Sequence, residues 1–95
     1  MMSRMIVEVT QYMRPNGSQQ IMRTEIRDAF EAPYSAIRMR GWRLAAEVLA
    51  HTGEVSITVE DGEQDFACEI VPNGPEVPRA IERALAVAIC ARPEE

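Results

Sequence analysis

Lysine is absent from this 95-residue chain, and all ten basic residues are arginine. Arginine suits stacked and bidentate contacts, where lysine acts as a point charge; genomic base composition accounts for the same bias without any contact. One histidine, His51, and two cysteines, Cys68 and Cys90, leave zinc short of the four nitrogen or sulfur ligands of a structural site. No cofactor and no metal are expected. The five glycines stand singly at 17, 41, 53, 62 and 74, so no glycine-rich phosphate loop exists. Apolar runs fall far short of the ~18–20 residues that span a bilayer. The opening stretch Met1 to Glu8 carries charge by its eighth residue. It lacks the apolar core of about 7–15 residues and the cleavage site of a secretory leader. The expectation is a cytoplasmic protein with no membrane contact and with reduced thiols.

What is present is an ordinary globular composition, 46% hydrophobic and 26% charged, at a length that suits one domain. Residues 1–92 are read as that domain and 93–95 as a frayed tail. Charge is unevenly placed. Residues 1–50 hold seven arginines against five acids, leaving +2, while residues 51–95 hold three against ten, leaving −7. Such asymmetry bears on partners rather than on fold.

Met5 to Tyr12 alternates as a strand, Arg14-Pro15-Asn16-Gly17 is turn chemistry, and Gln20 to Ile26 returns as a second strand. Asp28 to Arg40 has helical spacing at Phe30, Tyr34 and Ile37, with capping-box spacing between Asp28 and Glu31. Pro33 conflicts with that start, so the helix either begins near Pro33 or kinks there. Gly41 suits the left-handed residue past the helix end, which would let Trp42 pack back on Ile37. Residues 43–50 have helical propensity, but their setting before a clear hairpin favours a strand. Val55, Ile57 and Val59 alternate cleanly; Asp61-Gly62 signals a hairpin; Phe66, Cys68 and Ile70 alternate as the inward set of a last strand. Segment 43–71 is thus an antiparallel meander, and a helix follows from about residue 76 to Ala91. The fold class is α+β in the order ββαβββα, a mostly antiparallel five-stranded sheet with two helices on one face.

Catalytic chemistry finds no foothold. His51 falls at a predicted turn with no nucleophile or orienting acid in a triad-like pattern, so it reads as a solvated turn residue, and no enzyme is expected. The alternating Asp61, Glu63 and Asp65 invite a calcium loop, but the glycine and glutamate that such a loop needs at its sixth and twelfth positions are Phe66 and Pro72. Cys68 is expected in the core and Cys90 on the far side of the last helix, too ill-matched for a disulfide.

Three surfaces remain as candidates. The first is the acidic run Glu60, Asp61, Glu63, Asp65 and Glu69, which suits a basic partner or simply a soluble sheet face. The second is the Arg/Trp corner of Arg38, Arg40, Trp42 and Arg43, which has hot-spot composition and equally fits a helix cap. The third is the side of the last helix bearing Arg79, Arg83, Ala86 and Cys90, a candidate homodimer face. Direct nucleic-acid binding is disfavoured by the acidic balance and by aromatics placed in the core.

Three stretches carry a resemblance: Val9-Thr10-Gln11-Tyr12-Met13-Arg14-Pro15-Asn16-Gly17, Thr52-Gly53-Glu54-Val55-Ser56-Ile57-Thr58-Val59-Glu60, and Cys68-Glu69-Ile70-Val71-Pro72-Asn73-Gly74-Pro75-Glu76-Val77. Together they resemble a group of small uncharacterised bacteriophage and prophage proteins, over most of the chain, through turn and strand signatures that specify fold and not activity. The resemblance implies a phage or prophage accessory factor in a bacterial host cell. Small phage accessory proteins, anti-CRISPR proteins among them, often bind and block a host protein. The resulting expectation is a stoichiometric protein-binding inhibitor of a host machine. The alternative is a self-assembling accessory protein that uses helix 76–91 as its interface.

Overall fold

The computed structural model describes the backbone of residues 4–13, 18–49 and 51–92. The predicted 14–17 turn and the predicted tail lie outside these residues. Period-two alternation forms β1 (Arg4–Met13), which pairs antiparallel with β2 (Ser18–Arg27). The register sets Met5 opposite Ile26 and Val9 opposite Met22. Val7, Val9 and Ile26 are therefore buried on one face, while Glu8 and Arg23 meet on the other as an ion pair at 3.0 Å.

After β2 the chain makes one 3-10 turn, Asp28–Phe30, before helix α1 (Glu31–Met39). Starting α1 at Glu31 resolves the Pro33 conflict. Pro33 becomes its third residue, where an amide hydrogen has no helical acceptor and is not missed. The capping-box spacing is not used: neither the 3-10 turn nor α1 has a side-chain cap. At the other end the Schellman geometry forms as the sequence suggests. Gly41, at φ +77°, donates to the carbonyl of Arg38 at 3.0 Å, and the Trp42 amide donates to that of Ile37 at 2.9 Å.

Residues Arg43–Val48 form a strand, β3, so tertiary pairing overrides their helical propensity. β4 (Val55–Glu60) and β5 (Asp65–Val71) complete the antiparallel meander. The strand order is β2-β1-β3-β4-β5. The sheet therefore consists of two antiparallel groups, a hairpin and a meander. They join along one short parallel seam that runs from Thr10 opposite Ala45 to Met13 opposite Val48.

Helix α2 (Val77–Ala91) carries Pro78 in its first turn and buries Ala80, Ile81, Ala84, Leu85 and Ala88. Three alanines on the buried side let the helix axis approach the sheet, and Ile81 and Leu85 supply the volume. Burying each of those two stabilises the fold by about 1.5–3 kcal/mol. Both helices share one core with Val55, Ile57 and Val59, and no helix among the described residues covers the opposite sheet face.

One expectation fails at β5. Phe66, Cys68 and Ile70 are the predicted inward set, but Ala67 and Val71 point to the core, Cys68 is exposed, and Ile70 is 54% exposed. The cause is a bulge: Val59 pairs with Ala67 and Glu60 pairs with Asp65, so Phe66 has no partner across the ladder. One extra residue reverses which face the strand presents. Both residue sets of β5 contain apolar side chains, so alternation could not choose between them. The observed choice puts Glu69 on the helix side, where Arg83 of α2 donates to it at 2.9 Å.

Candidate functional site

The Schellman ending turns the chain sharply and delivers Trp42 to the start of β3, while the bulge in β5 turns Phe66 to meet it. Their ring centroids lie 4.4 Å apart with planes tilted by 44°. The Arg40 guanidinium sits 4.8 Å from the Trp42 centroid, and that of Arg92, just past α2, sits 5.1 Å from the Phe66 centroid. Nη1 of Arg40 donates to the Arg92 carbonyl, which ties the end of α1 to the end of α2. The result is a stack in the order Arg, Trp, Phe, Arg. The aromatic pair contributes about 0.5–1.5 kcal/mol beyond its burial. Each exposed cation–π contact adds about 0.5–1 kcal/mol.

Beside this stack lies a crevice of about 240 Å³, lined by Glu8, Tyr34, Arg38, Trp42 and Arg43 among others. It forms because β1 and β3 pair only from Thr10 and Ala45 onward, leaving the preceding residues apart. The Tyr34 hydroxyl donates to the Glu8 carbonyl at 3.3 Å, and Arg38 lies over the Tyr34 ring. All four residues of the predicted Arg/Trp corner thus belong to one end of the molecule.

The acidic run is divided by the fold. Glu60 pairs with Arg43. Asp61 closes the hairpin by accepting the amides of Glu63 at 2.8 Å and Gln64 at 3.0 Å. Those two bonds hold the Asp61 carboxyl below its ordinary 3.8, with a smaller push from the Arg92 charge. Glu69 faces α2 through Arg83. Glu63 and Asp65 remain exposed at the hairpin end. Corner and hairpin, distant in sequence, meet through the Trp42–Phe66 contact and the Arg43–Glu60 pair.

The third predicted surface is assembled with residues that sequence reasoning missed. Arg79, Arg83 and Ala86 line a cleft of about 480 Å³ together with Arg27, Phe30 and Glu82. Glu82 is the one buried charged residue among those described. Its carboxylate accepts the Arg27 amide at 2.9 Å and both its oxygens lie 3.2 Å from Arg27 Nε. The Arg27 guanidinium also rests 5.1 Å from the Phe30 centroid. A signal for Glu82 existed: on a helical wheel it lies about 60° from Leu85, at the margin of the apolar stripe. Cys90 is exposed further along α2.

His51 is exposed in its turn, and among the described residues no group of three or more His, Cys, Asp or Glu side chains is gathered as for a metal ion. No helix among the described residues is long and apolar enough to cross a membrane. Comparison with protein-family models, curated proteins and solved structures finds no match, so geometry and chemistry carry the functional reading.

Proposed function

We propose that this chain is a protein-binding module that acts stoichiometrically, as a phage or prophage accessory factor occupying the surface of a host protein machine in the bacterial cytoplasm. The observation that supports the reading is the Arg40–Trp42–Phe66–Arg92 stack, bordered by the exposed Glu63 and Asp65. Tryptophan and arginine dominate interface hot spots, and here both sit on a rigid scaffold, pre-ordered by one another. Partner ordering costs less when the contact residues already hold their conformation. The charged border would steer approach without supplying most of the affinity.

The test is affinity capture from a lysate of the bacterial host with the wild-type chain and with Arg40→Glu and Arg92→Glu, each checked for folding by circular dichroism. A partner held at fixed stoichiometry by the wild type and released by both variants supports the reading. Equal retention by folded variants removes this end of the molecule as the contact. A second reading, self-assembly through α2, is favoured by one feature: Val87 is 49% exposed on that helix beside Ala86. Sizing across a dilution series decides it, since assembly weakens on dilution and Ala86→Trp would abolish it while sparing the fold.

A further inference from the structure

The cleft between the 3-10 turn and α2 gathers three of the ten arginines, Arg27, Arg79 and Arg83, in a chain whose net charge is −5. Among the described residues its lining contains one acid, Glu82, and that carboxylate is buried and committed to Arg27. Two of the three guanidinium groups are anchored by the same device. Glu82 takes Arg27 through Nε, and Glu69 takes Arg83 through Nε. In both, the anchoring bond uses the inner nitrogen, and no hydrogen bond among the described residues uses the outer Nη pair. Arg79, in the first turn of α2, has no hydrogen bond or ion pair among the described residues.

Held arginines with unused forks differ from arginines spread over a surface. A free arginine loses side-chain entropy when it takes a ligand; one fixed by Nε has already lost it, and its Nη pair is oriented to bind two oxygens. Burying Glu82 to fix Arg27 is costly unless the carboxylate is fully bonded, which it is. Phe30 and Ala86 add apolar wall to the same cleft. Its volume lies within the ordinary range for small-molecule sites, about 300–1,000 Å³, and exceeds what one phosphate fills.

We propose that this cleft binds a small oligoanion, a molecule carrying two or more phosphate or carboxylate groups, with Arg79 and the Nη forks of Arg27 and Arg83 as its donors. The site is independent of the Arg/Trp corner, at the other end of α2. Phosphate and carboxylate share the bidentate geometry that these forks recognise, so the two sources are separated by experiment.

The experiment is a titration of the full chain, labelled with nitrogen-15, following the arginine Nε–Hε signals at low ionic strength. Pyrophosphate and tricarballylate are the probes. Saturable shifts at Arg27, Arg79 and Arg83 are expected, with the tighter probe identifying the source. Arg79→Gln, a change at an exposed position with no ion pair among the described residues, should weaken binding about tenfold, the usual scale for losing one charge-assisted contact. Arg23→Gln, in the Glu8 pair on the opposite sheet face, should leave binding unchanged. Shifts that never saturate, or affinity equal in wild type and Arg79→Gln, would overturn the proposal. Saturable binding of a hexaglutamate peptide with neither small probe bound would also overturn it, in favour of an acidic protein segment.

Discussion

The two halves of α2 use arginine in different ways. At its C-terminal end Arg40 and Arg92 lie on ring faces, and Arg40 also bonds a backbone carbonyl; their charge is spent on holding the end together. Along its N-terminal half Arg27 and Arg83 are held by carboxylates at Nε, Arg27 resting also on the Phe30 ring, and Arg79 has no hydrogen bond or ion pair among the described residues. One group is glue with an aromatic surface, and the other is a set of prepared donors. An all-arginine composition is compatible with both, so composition alone does not distinguish the two uses. The bonded atom decides: Arg40 gives an Nη to a backbone carbonyl, whereas a carboxylate at Nε leaves the fork of Arg27 outward even though its face rests on the Phe30 ring.

The largest expected effect that tests this contrast is at Trp42. Trp42→Ala removes the ring on which both Phe66 and Arg40 rest. Full burial of such a ring would make its loss cost about 3–5 kcal/mol, and Trp42 is half-buried, so about 2–3 kcal/mol is expected from urea unfolding. A loss under about 1 kcal/mol would show that the stack is ornament on a fold secured elsewhere.

Next is Glu82. Glu82→Ala leaves the Arg27 amide without its acceptor and frees the guanidinium, and about 1–3 kcal/mol should be lost. The Arg27 side chain, being 49% exposed, regains solvent and limits the damage. Glu82→Gln keeps an acceptor for the amide and should cost roughly half as much. Equal costs would assign the role to charge rather than to the backbone bond. A smaller effect belongs to Arg92→Gln, which removes one cation–π contact and should cost about 0.5–1 kcal/mol. The corner would then soften without unfolding.

Much of the frame is legible in the sequence because its signals are local. The Gly41-Trp42 ending, the alternation of Val55, Ile57 and Val59, and the apolar stripe of α2 each follow from residues within a few positions of one another. The failures share a physical cause, dependence on distant partners. β5 carries apolar residues on both sets of alternate positions, and only a bulge opposite Glu60 selects Ala67 and Val71 over Phe66, Cys68 and Ile70. Of the sites, the corner is visible as four residues, but Phe66 and Arg92 come from elsewhere in the chain. The cleft is half visible as Arg79, Arg83 and Ala86; Arg27, Phe30 and Glu82 join it only through packing of α2 against the end of β2. The acidic run reads as one surface along the chain, yet pairing consumes Glu60 and Glu69 with arginines from different elements, β3 and α2.

The smallest effect concerns Asp61, next to the Arg92 end of the stack. Its carboxylate is held below the ordinary 3.8 chiefly by the Gln64 and Glu63 amides, which reach it only when the hairpin is closed. The unfolded chain lacks those bonds and takes up the proton first as pH falls. The stabilisation is therefore fully present above 3.8 and disappears as pH drops through the depressed value. Asp61→Asn keeps an oxygen for the two amides but does not titrate, so its stability should lack this acid-side loss; Asp61→Ala should lack both the bonds and the slope. The measurement is urea stability from about pH 5 down to about pH 2, with exchange of the Glu63 and Gln64 amides followed alongside. Because the Arg92 charge is the least of the causes, Arg92→Gln should leave most of the slope in place. An acid-side slope lost in Arg92→Gln and retained in Asp61→Asn would mean that the stack, rather than the turn, governs this hairpin.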